Sequence, residues 1–294
     1  MYHDRQYTMF LLDMVGGLTP LLSVAALTYM FAVLDRTIAV SGYQKPYFAV
    51  HVLHNMAIVA TTASDVLVSF TDFGGLTDRP VTWSAVYMCY ALHLYHCLLY
   101  WRAFHLDDWL HHGLMIGVAL PLGSTVPAGP LMGMNLFFTT GLPGGVSYAL
   151  LFAEKNGWIS QAESRRWNAR MNLWIRSPGC VAMATLTLAT LLSRLQSQAT
   201  AWQYAVTLAT TGLTVWNGQY FMEQVITADA VTAAALNTSE GGKAGVSRRG
   251  RCPNRDNDGQ TEAPAPHGQS LFLQGLPQQQ VQNAAEPKAE HPPQ

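Results

Sequence analysis

The stretch FHLDDWLHHGLMIGVAL, residues 104–120, packs five ionisable side chains into the eight residues from His105 to His112 and then runs directly into an apolar segment. Ionisable groups are costly to dehydrate at the mouth of a membrane helix, so their presence there marks the first place to look for function. In a helix, Asp108 lies three residues before His111 and four before His112, which puts the acid and both imidazoles on one face. Asp107 and His111 form a second pair at i, i+4.

Composition gives the rest of the chain the same character. Charged residues make up 12% of the 294 positions and hydrophobic residues 49%, whereas soluble domains are about a quarter charged. A soluble fold this poor in charge would struggle to cover its surface, so the chain reads as an all-α, polytopic membrane helix bundle. The net charge of -1 gives no reason to expect nucleic acid as a partner. The four cysteines show no CxxC spacing, and no motif calls for a cofactor.

About seven spans follow from the apolar runs. The first, 9–34, is longer than the roughly 7–15 residues of a secretory h-region, and so reads as a span and not a cleaved signal. A polar loop over 35–46 separates it from spans at about 47–70, 81–101, 108–126, 131–153, 172–192 and 202–226. The fifth is interrupted by GLPGG at 141–145, which reads as a broken helix or two half-helices, and 154–171 is a polar, basic interfacial or soluble helix. From 237 the composition shifts to Gly, Pro, Gln, Glu and Arg, as in a disordered tail. The expected organisation is a lead, first span and loop over 1–46, a membrane domain over 47–230, and the tail over 237–294. With seven spans, Arg36, Lys45, Arg102, Lys155, Arg165, Arg166, Arg170 and the tail fall on one side and Arg5, Arg79 and Arg194 on the other. That asymmetry makes the N-terminus lumenal and the tail cytosolic.

Seven of the ten histidines lie between His51 and His112. His51 with His54, and His93 with His96, sit three apart and share a helical face, so several helices can turn imidazoles toward one interior. The bland alternative is interhelical hydrogen bonding. Asp65, near the middle of a span, carries an insertion cost of roughly 2.5–3.5 kcal/mol, which calls for a partner, a polar cavity or a position nearer the lumenal end. For Asp107 and Asp108 the alternative is N-terminal capping, which accounts for the acids but not for adjacent histidines entering an apolar run. A carboxylate bonded to one ring nitrogen fixes the imidazole tautomer and frees the other nitrogen as base or nucleophile. His111, His112 and Asp108 are therefore the candidate catalytic residues, and His93, His96, Asp65 and Asp107 the candidate binding residues of that interior, which the resemblance given next implies would hold lipid. Gly113 and Gly117 form a GxxxG face suited to close helix packing.

DDWLHHGLMIGVAL at 107–120, SYALLFAEKNGW at 147–158 and NLWIRSPG at 172–179, in this order, resemble the TLC domain, the membrane fold of ceramide synthases and of several non-synthase lipid-handling proteins. The resemblance implies six helices around a lipid-accessible cavity, here with one more N-terminal span, in the endoplasmic reticulum. It also implies membrane lipid as partner. In ceramide synthases the matching histidine pair, here His111 and His112, serves acyl transfer from acyl-CoA. Where the synthases place two aspartates on the following helix, this chain reads FFTTGLPGGVSYALL at 137–151, with no acid. The expected function is therefore lipid homeostasis: binding, sensing or moving lipid in an intramembrane cavity. An acyl-CoA-dependent acyltransferase using His111 and His112 is the alternative. A third reading, a histidine-ligated metal enzyme, lacks the paired HxxHH boxes, since HVLH, HLYH and HLDDWLHH do not reproduce them.

Overall fold

Seven helical columns make up the computed structural model, which describes residues 18–76, 79–104, 106–126, 128–194 and 200–246. Residues 9–17 of the expected first span and the tail beyond 246 lie outside the described residues. The columns are α1 (Leu18–Val40), α2 (Pro46–Thr71), α3 (Trp83–Tyr100), α4 (106–124), α5 (Pro130–Lys155), α6 (161–194) and α7 (Ala201–Val246), with no strand among the described residues. Four helices are long and apolar enough to cross a membrane: Leu18–Val40, Pro46–Thr71, Pro130–Lys155 and Gln161–Ser193. Their outward faces carry exposed apolar residues, among them Leu18, Leu22, Leu53, Leu67 and Trp174.

Neighbouring helices follow one another as α2, α5, α6, α7, α4 and α3, returning to α2, while α1 packs outside against α3 and α2. Phe31, Val50, Leu92 and Tyr95 fill the seam of α1 with α2 and α3. Ile58, Val86, Met88, Leu120 and Leu136 fill the middle of the bundle. At Gly133 of α5, an added Cβ would stand 1.8 Å from Asp65 Oδ2. Only a residue without a side chain lets α2 and α5 approach so closely.

Three columns contain a π segment: Met115–Ala119 in α4, Phe137–Gly141 in α5 and Asn172–Arg176 in α6. Each ends two residues before a proline, namely Pro121, Pro143 and Pro178. A helical proline offers no N–H and its ring collides with the carbonyl four residues back, here Gly117, Thr139 or Trp174, the central residue of each π segment. Widening the turn moves that carbonyl aside. The residue before each proline then donates five residues back, Leu120 to Met115, Leu142 to Phe137 and Ser177 to Asn172.

Several sequence expectations change as a result. GLPGG at 141–145 neither breaks α5 nor splits it, because the π turn absorbs Pro143 and the helix runs on to Lys155. The polar segment 161–171 is the first part of α6 and not a separate helix, and it starts with a capping box between Ser160 and Glu163. Asp35, assigned to a loop, is a buried residue of α1. Gly113 and Gly117 have open space where a Cβ would stand, so the GxxxG face packs against none of the described residues. Helix α7 continues through 237–246, which the composition assigned to the tail.

Candidate functional site

Histidines three apart on α2 and α3 and adjacent on α4 meet at one end of the bundle. The ring centroids of His111 and His93 are 5.4 Å apart, His93 and His112 5.2 Å, His112 and His96 5.4 Å, and His96 and His51 4.5 Å. Packing holds these rings from both sides. Phe104 stacks on His112 at 4.7 Å, and Tyr148 of α5 stacks on His51 at 3.9 Å.

Local hydrogen bonds set the tautomers. His51 Nδ1 lies 2.8 Å from the Tyr47 carbonyl and His93 Nδ1 2.7 Å from the Cys89 carbonyl, each four residues back on its own helix. A carbonyl can only accept, so Nδ1–H donates and Nε2 keeps its lone pair. His96 Nε2 and His112 Nδ1 are buried without a hydrogen-bond partner among the described residues. The expected dyad of Asp108 with His112 is therefore not formed through Nδ1. Asp108 lies instead within electrostatic range of Tyr47 and Tyr148. Of Asp107 the structure describes the backbone in α4 only, and His105 lies outside the described residues.

Asp65 stands apart from this cluster. It is buried near the other end of α2, where Thr82 Oγ1 donates to its Oδ2 at 2.6 Å. It does not line the cavity described next. His54 is likewise diverted, its Nδ1 bonding Asn55 Oδ1 at 2.9 Å while Phe31 meets its ring edge.

A cavity of about 630 Å³ runs lengthwise from the histidine end between α3, α4, α5, α6 and α7. His93 and His111 face it, with Tyr148; His51, His96 and His112 lie behind that wall. Its far half is lined by residues such as Val118, Leu122, Met132, Leu191 and Val206. All three π segments face it, contributing Met115 and Val118, Thr139 and Thr140, and Asn172 and Arg176. Lining residues extend on α4 from His111 to Gly123, about 18 Å at 1.5 Å per residue.

The polar end also holds residues that the sequence reading missed as site members: Tyr148, Asn168, Asn172, Arg176 and Asn217. Ser147 Oγ donates to Asn168 Oδ1 at 2.7 Å, and Asn172 Nδ2 reaches the same oxygen at 3.0 Å. The available signal was the spacing of Asn168, Asn172 and Arg176 at four-residue steps, which keeps amides and a guanidinium on one helical face. Among the described residues no three His, Cys, Asp or Glu side chains converge as metal ligands. No family model, curated protein or solved structure matches the chain.

Proposed function

We propose that this is a seven-span, TLC-like membrane protein of the endoplasmic reticulum that holds a lipid in the bundle, its acyl chain in the apolar half and its headgroup at His93, His111 and Tyr148. The observation that carries the reading is the cavity itself: about 630 Å³, apolar along one half, imidazole-lined at the other. Ligand sites of about 300–1,000 Å³ with few placed polar groups are the common pattern for small molecules. The lined length of about 18 Å exceeds one leaflet of a hydrocarbon core about 30 Å thick, so an acyl chain fits lengthwise. Extraction in mild detergent followed by native mass spectrometry tests this. Wild-type protein should carry lipid, and His111→Ala should retain about fivefold less, the worth of one neutral hydrogen bond of about 1 kcal/mol. An empty cavity after gentle extraction would overturn the reading.

Acyl transfer from acyl-CoA is the second reading, and the position of His111 supports it. His111 faces the cavity whereas His112 is 6% exposed and stacked under Phe104, so His111 is the base of choice. Labelled acyl-CoA with an amine acceptor should then give labelled product that His111→Ala loses. Equal labelling in both ends that reading.

A further inference from the structure

Arg176 enters from the π segment of α6 and is more than nine-tenths buried, at 7% exposure. It faces the cavity, whose lining includes no Asp or Glu, so the guanidinium is the one charged group on that wall among the described residues. No ion pair or hydrogen bond holds it among the described residues, and its Nε is buried without a partner. Its close companion is the Phe221 ring, 4.6 Å from Cζ. A ring face offsets only part of the cost of dehydrating a cation. Two amide oxygens nearby are also unsatisfied, Asn172 Oδ1 and Asn217 Oδ1. Asn172 lies four residues before Arg176 on the same helix, and Asn217 four before Phe221. The cavity end thus offers an unanswered cation flanked by unanswered acceptors.

Resting on the lipid-handling reading above, we propose that the cavity selects an acyl-chain lipid with an anionic headgroup, a carboxylate or phosphate ester. The anion pairs with Arg176, and an adjoining hydroxyl or amine of the headgroup donates to Asn172 and Asn217. An anionic oxygen meets the guanidinium fork in charge-assisted, bidentate geometry; a phosphocholine answers this set less well, because its phosphate is neutralised by its own trimethylammonium, which has no N–H to donate to Asn172 or Asn217. Lining with a larger apolar share, Met183 and Leu191 beside Thr187 and Thr190, continues beyond this point on the same helix as far as Leu191, fifteen residues or about 22 Å away.

Full-length protein reconstituted in bilayers of equal phosphatidylglycerol and phosphatidylcholine, then released into native mass spectrometry, reads the selection directly. Wild type should retain phosphatidylglycerol over phosphatidylcholine by about tenfold or more, as charge-assisted hydrogen bonds imply. Arg176→Gln should retain both lipids equally, with a thermal midpoint no lower than wild type, because it removes an uncompensated buried charge. Arg176→Lys should keep part of the preference, since the charge remains and the fork does not. Undiminished preference in Arg176→Gln, or no preference in wild type, overturns the proposal. So does inorganic phosphate raising the thermal midpoint as much as phosphatidylglycerol, which would mark a site for a free anion. Lipid retained without headgroup preference defeats this inference alone, whereas no retained lipid in any variant defeats the lipid-handling reading beneath it.

Discussion

Asp35 illustrates how the bundle satisfies a buried carboxylate without giving it chemistry to perform. It is 8% exposed, and Tyr95 and Tyr100 of α3 each donate a hydroxyl hydrogen to its Oδ1 at 2.8 Å. Removing one donor leaves the acid less well solvated by protein in a place water does not reach. Tyr95→Phe is therefore expected to lower stability by about 1.5–3 kcal/mol, the range for hydrogen bonds to charged groups. Thermal unfolding in a fixed detergent checks this, and unchanged midpoints would mean that water replaces the hydroxyl. Hydropathy alone ends the first span at Leu34 and leaves Asp35 in a loop, because tyrosines far along the chain are brought to it only by the packing of α3 on α1. Asp65, an acid inside an apolar run, likewise meets its partner only in three dimensions, where Thr82 donates to it and the bare face of Gly133 makes room for it. The histidine pairs were legible because a spacing of three fixes a shared face wherever the helix sits. Arg176 was legible as a charge inside a span, but its lack of an acidic partner is a fact of three dimensions.

At the scale of the element, glycines and prolines decide which helices touch and where they widen. A GxxxG pair suggests close packing, yet Gly113 and Gly117 have no atom within 4 Å of an added Cβ. Close contacts fall at other glycines, among them Gly133, against Asp65, and Gly179, against the Phe138 ring. Alanine at Gly113 or Gly117 should leave stability unchanged or raise it by up to about 1 kcal/mol, since alanine orders a helix better than glycine. Alanine at Gly133 or Gly179 should cost about 1–3 kcal/mol by overpacking. Paired thermal melts of the four variants test the contrast, and equal shifts would show that α4 is packed as tightly as α5 and α6. The three π segments were readable in principle, each from a proline inside an otherwise helical pattern. Their common orientation toward the cavity was not, because periodicity counts residues per turn and a π turn resets the count.

For the whole molecule, the number of crossings fixes which loops share a side. Helix α7 has 46 residues, about 69 Å at 1.5 Å per residue, more than twice the roughly 30 Å of a hydrocarbon core. If α7 crosses the membrane, its later part therefore projects beyond it, where Arg165 of the polar start of α6 bonds Thr232. Seven crossings put Ser41, in the turn after α1, on the same side as Ala233, because six helices lie between them. If only the four helices of sufficient length and apolarity crossed, three would lie between those residues and they would fall on opposite sides. Single cysteines at Ser41, Ala233 and Gly74, all exposed, in a background without the native cysteines, decide the matter when sealed microsomes are treated with a membrane-impermeant maleimide. The expected result is labelling at Ser41 and Ala233 in intact vesicles, the face toward which Lys and Arg are biased, with Gly74 labelled only after permeabilisation. Labelling of Ala233 without Ser41 would remove an odd number of helices from the membrane. The histidine end of the cavity would then have to be reached from a different compartment than the one its position between α3 and α4 implies.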